Sequence, residues 1–592
     1  MAKQLLTNYL RLHNVNQLRE SVNEAANSAY YVFVGKHQTY PSGDTTIPDL
    51  TNSVDETLYD SYTDMVFGKR VTASDVKSMI PRYNWVSGTY YDAYRSDVDL
   101  TDKQFYVVVK EAAYNVFKCL DNNGNAASIY APSIHNTSAD DEFYSTADGY
   151  VWKYMYSIDT STFAKFATAD YIPVVANTYV TGNAVAGAVD VIVVDFAGSS
   201  YHTTFANTFS VTDIAVGGDP IKYNLAENAS SSNNFYNGSF LYITSGTGYG
   251  QGKKIVDYVV IGSDKTVTLE SAFTTRPDST STYEISPYVL ITGDGSGAVA
   301  RAVVNTAVAN TIDRVEIITR GSGYTYVTAT VTGNTGGSSN SAIVRAVLGP
   351  KGGHGSNVDY ELGCKSLCFS VTFANTEGST IPVANDFRSV GLLKDPLFKS
   401  VELTLSDISG AFTIGETITQ TVTGATGEAA DFNASLLVLT NVSGEFAAGE
   451  EIEGDESTAT ANVASYQVNG VTKGFSTFDQ RHRYTYTMQN VYDFNEDEYV
   501  YQTIEEDGVT SIFGDGIVHE KDGTFIYLTH VTGTLNTANT ITGNDTGAIA
   551  NLLFYYPPDL VVGSGEVLYI ENGNKISRSN SQSETVKLIL HF

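Results

Sequence analysis

Residue types and spacings that could do chemistry occur at four places in this chain. The run Gly246-Thr-Gly-Tyr-Gly-Gln-Gly252-Lys253 has the glycines and lysine of a phosphate loop. Such a loop needs a glycine five residues before Gly252 and a hydroxyl after the lysine, to cradle phosphate and hold magnesium. Those positions are Thr247 and Lys254, so the run reads as a glycine-rich β-turn. Asp493-Phe-Asn495-Glu-Asp497-Glu498 begins like a calcium loop, with oxygen ligands at alternate positions. Glu498 stands where the sharp turn needs glycine, and Ile504 where a bidentate glutamate belongs, so the segment reads as an acidic, solvated stretch. His354, in Lys351-Gly-Gly-His-Gly355, is the one histidine whose flanking glycines suggest an exposed ring able to act as a ligand. Cys364 and Cys368 could be joined or could share a metal, although two semi-buried thiols on one segment is the simpler reading. No His-Glu-x-x-His and no Gly-x-Ser-x-Gly occurs. A glycosidase pair is assembled by the fold, so the 66 carboxylates neither make nor exclude one. No catalytic residue, metal site or cofactor is assigned, and the chain is read as a non-enzyme.

A different chemistry, that of association, is suggested by an aromatic cluster. Arg82, Tyr83, Trp85, Tyr90, Tyr91 and Tyr94 lie within thirteen residues. Tyrosine, tryptophan and arginine dominate protein–protein hot spots because they bury large areas at low rotamer cost. These six are the candidate interface, with sheet packing as the competing role for part of them.

The elements that must position such residues are mostly strands. Forty Tyr and 51 Gly against 13 Pro, with abundant Val and Thr, point to β-structure with tight turns. Val15, Leu18, Val22, Ala25 and Ala26 recur at helical spacing, which predicts a helix within residues 1–30 with Asn14 as N-cap. A second short helix is expected from Ser74 to just before Pro81. Tyr30–Val34 and Gly149–Tyr156 read as strands.

At 592 residues the chain exceeds one core and predicts three or four domains. A formal charge of −31 repels phosphate backbones and anionic lipid, which excludes nucleic acid and anionic membranes as partners. No signal-peptide pattern and no apolar run of spanning length is seen, so cytosolic synthesis is expected.

Two repeat families fill the middle. Asp190, Gly198 and Tyr201 recur as Asp313, Gly321 and Tyr324, each 123 residues on. Ser409-Gly-Ala-Phe412-Thr-Ile-Gly415-Glu416-Thr-Ile418 recurs 34 residues later as Ser443-Gly-Glu-Phe446-Ala-Ala-Gly449-Glu450-Glu-Ile452, with a weaker copy from Thr532 to Gly543. Each unit buries little alone, so the units should pack on one another or on a partner.

The two ends of the chain carry a resemblance. Its strings are Tyr31-Val-Phe-Val-Gly35, Val76 through Met79-Ile-Pro81-Arg82-Tyr-Asn-Trp85, Tyr91-Asp-Ala-Tyr94 and Tyr114-Asn-Val-Phe-Lys-Cys119-Leu-Asp121. They continue as Asp148-Gly-Tyr-Val-Trp152-Lys-Tyr154, Tyr171-Ile-Pro-Val174, and Phe387 through Leu397. The last are Tyr555 through Leu560, Ser564 through Asn572 and Glu584 through Phe592. In this order they resemble the dimeric baseplate wedge subunit of T-even-like, contractile-tailed bacteriophages. Residues 176–350 and 401–558 have no counterpart in the enteric-phage relatives, and their repeats resemble glycine-rich β-modules of cyanophage structural proteins.

The resemblance implies a structural virion protein, synthesised and assembled in the host cytoplasm, that forms a homodimer within each wedge. It implies contacts with other wedge proteins and with tail-fibre attachment proteins. The expected fold is mainly β: a multidomain, β-sandwich-like core with a few helices and two inserted sets of small Gly/Thr-rich β-modules. The expected division is 1–175 core, 176–350 inserted modules, 351–400 return to core, 401–558 inserted repeats, and 559–592 C-terminal core strands. A carbohydrate- or receptor-binding tail protein is the alternative, which the inserted modules and many tyrosines would also suit.

Overall fold

Valine, threonine, isoleucine and tyrosine suit a pleated, half-buried surface, and the chain folds accordingly. It is mainly β, with several sheets, two closed barrels and a few short helices. The structure, a computed structural model, describes residues 6–592 apart from 25–27, 54–56, 135–142, 210–217, 309, 334–340, 378–380, 383, 470–475, 507–508 and 538. Two compact units divide the chain: Met1–Met79 with Lys365–Phe592, and Ile80–Cys364.

The first unit is built on an antiparallel five-stranded sheet, in the order Thr477–Asp479, Met65–Arg70, Tyr30–Gly35, Asn385–Lys394, Glu566–Arg578. Tyr30–Gly35 is central and buried along its whole length, as a continuous apolar run should be. Val32 lies opposite Lys69 on one side and Leu392 on the other. Gly391 is glycine because the Phe33 ring covers it: a Cβ there would sit 2.3 Å from the ring. A second sheet carries, in order, Glu584–His591, Ser366–Phe373 and Val76–Pro81.

Local expectations for this unit needed two corrections. The helix runs Asn8–Asn23, and Thr7 rather than Asn14 caps it, accepting a hydrogen bond from the Leu10 N–H. Val15 and Val22 face inward as expected, while Ala25 and Ala26 lie outside the described residues. The helix expected from Ser74 is a single 3-10 turn, Ala73–Asp75, followed by the strand Val76–Pro81. Pairing with Ser366–Phe369 claims Val76–Met79 for a sheet, and tertiary pairing overrides local propensity.

Both barrels belong to the first unit. Each has six strands and closes on itself, one over 400–469 and the other over 482–556. Between them Thr477–Asp479 returns to the five-stranded sheet, where Phe478 is fully buried against Tyr31 and Phe398. The span 401–558, expected as one inserted block, is interrupted by a strand of the core sheet.

In the second unit a four-stranded sheet holds Tyr106–Lys110, Tyr114–Asp121, Val151–Ile158 and Phe143–Ser145. Tyr91, Val107, Phe117, Cys119, Tyr150 and Trp152 form its core. Residues 189–348 form two further cores. A six-stranded sheet between Phe205 and Pro287 encloses one. The other gathers the two copies of the 123-residue repeat.

Those copies face each other with their hydrogen bonds repeated. The Tyr201 N–H donates to the Asn310 carbonyl and the Tyr324 N–H to the Gly187 carbonyl, at 3.1 and 3.0 Å. Gly198 and Gly321 adopt φ of 61° and 64°, and Gly187 and Asn310 also have positive φ. Left-handed φ is costly for residues with a Cβ, which explains glycine at both turns.

Candidate interaction surface

The six residues singled out from the sequence separate into core and surface. Tyr91 and Tyr94 are buried, at 2% and 4% exposure, which corrects their assignment to an interface. Tyr91 packs edge-on against Trp152, itself stacked on Tyr150. Tyr94 lies beneath the Lys118 ammonium, 4.2 Å from its ring centre. Arg82 is half-buried: it donates to the Asn84 side chain and the Thr168 carbonyl and lies over the Phe163 ring. Tyr83 packs on Tyr106, and burial raises its hydroxyl pKa. Trp85 is half-buried too, and its indole N–H donates to the Ser128 hydroxyl at 3.1 Å.

Tyr90 is the surface residue of the set, at 61% exposure. Three others join it that the sequence reading did not nominate: Val86 at 57%, Ile129 at 54% and Tyr130 at 51%. The two segments that bear these side chains are fastened to each other. Gly88 N–H donates to the Ser128 carbonyl and Ser128 N–H to the Thr89 carbonyl. The buried Tyr91 hydroxyl accepts from Val86 N–H at 2.7 Å. Asp148 accepts from the N–H groups of Ile129 and Tyr130 at 2.7 and 3.0 Å, and the Thr146 hydroxyl donates to its other oxygen. Burial raises the Asp148 carboxyl pKa, but these bonds outweigh it and hold the pKa below the ordinary range. The exposed apolar side chains thus stand on a backbone already held in place, and a preorganised surface loses little entropy on binding. Ile129 and Tyr130 occur in an irregular segment with no periodicity, so only the fold brings them beside Tyr90.

His354 is not exposed. It is 5% accessible and sits inside a charge cluster of the second unit. Its Nδ1 lies 2.7 Å from Lys118 Nζ and its Nε2 2.8 Å from Asp190 Oδ1. Lys118 is also paired with Glu361, and Arg320 with Asp190 at 2.8 Å. Burial lowers the pKa of both Lys118 and His354. Burial alone would raise Asp190, yet His354, Arg320 and Lys118 together keep its pKa low. Lys118, Asp190, His354 and Glu361 are buried with their partners, so the cluster cross-links the strand Tyr114–Asp121 to the repeat-bearing segment.

The other chemical candidates also resolve into structure. Gly246, Gly248 and Gly250 all have positive φ in the turn between the strands Ser239–Ser245 and Gly252–Ile261. Cys119, Cys364 and Cys368 are buried, and none of the three forms a disulfide.

Glu498, read as solvated, is 1% exposed, and the segment around it is a further copy of the barrel repeat. Phe494, Glu498, Val500 and Gln502 stand 82 residues after Phe412, Glu416, Ile418 and Gln420. Glu416 accepts from the N–H groups of Glu456 and Ser457, and Glu498 from those of Asp545 and Thr546, all within 3.0 Å. Gln420 and Gln502 each clasp the backbone of a facing loop, at Ala447 and Asn536. Asp497, at φ 63°, takes the turn position that Gly415 takes in the first barrel.

Among the described residues no three histidine, cysteine or carboxylate side chains are placed to hold a metal ion. No helix among them is long and apolar enough to cross a membrane. No protein-family model matches the chain, and no curated protein matches it.

Proposed function

We propose that this chain is a structural subunit of a contractile phage tail baseplate, forming a homodimer in each wedge and joining neighbouring wedge and fibre-attachment proteins. One observation carries the proposal: the strings behind the resemblance, scattered over more than 500 residues of sequence, fall into groups of spatial neighbours within each unit. Tyr31–Gly35, Phe387–Lys394 and Glu566–Asn572 are three adjacent strands of the central sheet. Glu584–His591 and Val76–Met79 flank one strand, Ser366–Phe373, which is not itself part of the resemblance. Tyr91, Phe117, Cys119, Tyr150 and Trp152, from three more strings, share one core.

Apart from Thr477–Asp479, which joins the central sheet, the segments without counterparts form cores of their own: two barrels, the six-stranded sheet and the paired repeat. Modules set into loops of an older core leave this pattern. The surface formed by Val86, Tyr90, Ile129 and Tyr130 supplies a preorganised apolar contact of the kind an assembly protein uses. In this role the chain resides in the virion, acts by binding alone and uses no cofactor.

Sedimentation equilibrium of the purified full chain tests the dimer. Twice the 63.9 kDa chain mass is expected at micromolar concentration. A monomer at every concentration up to about 100 μM, where a dimer of Kd 1 μM would be nearly complete, would remove the basis for a dimeric wedge role.

A further inference from the structure

Three histidines from distant segments meet where the second barrel rests on the central sheet of the first unit. His37 follows the strand Tyr30–Gly35, while His519 and His530 stand on the paired barrel strands Val509–Lys521 and Phe525–Gly533. The His37 ring centre lies 4.8 Å from that of His519 and 6.1 Å from that of His530. His37 and His519 are buried.

The polar partners come from both sides of the contact. His37 Nδ1 is 2.8 Å from Asp497 Oδ1, and its Nε2 is 2.6 Å from the Thr529 hydroxyl. His530 Nε2 is 2.8 Å from Asp64 Oδ1, and its Nδ1 is 3.3 Å from the same hydroxyl. His519 Nδ1 faces the Arg481 guanidinium at 3.3 Å.

Further charges ring the cluster. Lys36 pairs with Asp64, and Arg388 donates to the His37 carbonyl while gripping Asp44. Arg481 pairs with Asp479 and Glu520 over the Tyr527 ring. Asp479 N–H donates to the half-buried Asp559, whose pKa desolvation pushes up to about 7.

These contacts dictate where protons sit. Arginine only donates, so His519 Nδ1 must be the bare, accepting nitrogen of a neutral ring. A proton added there would point an N–H at a guanidinium and place a second cation in a buried site, with the His37 ring on its other side. Asp479 and Glu520 already belong to Arg481.

We propose that this cluster is a proton-operated latch, holding the second barrel on the central sheet while His519 is neutral and releasing it when His519 takes a proton. Burial first, then Arg481 and His37, hold the His519 pKa well below the ordinary histidine value. In the released form the ring regains an ordinary value of about 6.5. For His519 the released form binds the proton more tightly, so its contribution to docking is full above about pH 6.5 and falls away below it, while Asp559, raised to about 7, works in the opposite sense. His519 alone raises the opening constant by up to about 30-fold between pH 7.5 and pH 5.

Hydrogen exchange of the full chain, corrected for intrinsic rates, tests the latch. The first barrel is an internal reference because 400–469 contains no histidine. Between pH 7.5 and pH 5, amides of 36–40, 478–482 and 517–530 should lose up to about 30-fold more protection, relative to the first barrel, in the wild type than in His519→Gln. If the glutamine variant fails to fold at pH 7.5, His519→Phe replaces it. The same pH response in wild type and variant would overturn the proposal.

Discussion

At the residue scale, adjacent tyrosines have opposite fates. Tyr90 projects from the surface, and Tyr91 fills the core beneath it, its hydroxyl accepting from the Val86 N–H. Tyr91→Ala should cost about 3–5 kcal/mol in thermal or denaturant unfolding, the usual price of an aromatic-sized cavity. Tyr90→Ala should change stability by less than about 0.5 kcal/mol and weaken self-association by at least about 10-fold, as an interface anchor does. Equal melting shifts for the two would show that Tyr90 is packed like its neighbour. Residue types revealed the cluster but not this split, since alternation within an irregular segment follows no fixed period. His354 shows the same limit from the other side. Flanking glycines suggested exposure, but they serve close packing: a Cβ on Gly353 would lie 2.4 Å from the Val185 carbonyl, and one on Gly355 2.4 Å from the Val180 side chain.

At the element scale, the barrels repeat one device. Glu416 and Glu498 each reach across a barrel to hold the N–H groups of a facing loop. A Cβ on Gly454 or Gly543 would lie 2.5 Å from the carboxylate, so the glycine makes room for it. Burial raises both carboxyl pKa values, but the hydrogen bonds outweigh it and leave both below the ordinary glutamate value. The stabilisation is therefore full above about pH 4.3 and is lost as pH falls through the lowered values. Glu416→Gln puts an amide N–H where an acceptor is needed and should cost the first barrel about 2–3 kcal/mol at pH 7. The cost should shrink as pH falls below about 4.3, where the unfolded carboxyl takes up its proton, and further as pH passes the lowered folded value; a pH-independent cost in denaturant unfolding would contradict this account. The 34-residue repeat was legible because Phe, Gly, Glu and Ile recur together. Its copy at 494–502 was hidden because Asp497 replaces the turn glycine, and four acidic side chains in six residues imitate a solvated loop.

At the scale of the whole molecule, β-richness and the repeats were legible from composition and periodicity. The layout of the 401–558 block was not, since Phe478 joins the core sheet through a three-residue strand with no pattern of its own. The charge of −31 gains meaning at this scale. Two such chains repel each other, so the proposed association would depend on apolar contacts such as Tyr90 and Tyr130 and should strengthen as salt screens that repulsion. The central claim, that the core built from the resembling strings belongs to a baseplate wedge, is tested most directly by a cryo-EM map of the intact tail with this chain traced. The account predicts two copies in each wedge, with the surface of Val86, Tyr90, Ile129 and Tyr130 covered by protein. Finding the chain outside the baseplate, or that surface bare in every copy, would contradict it.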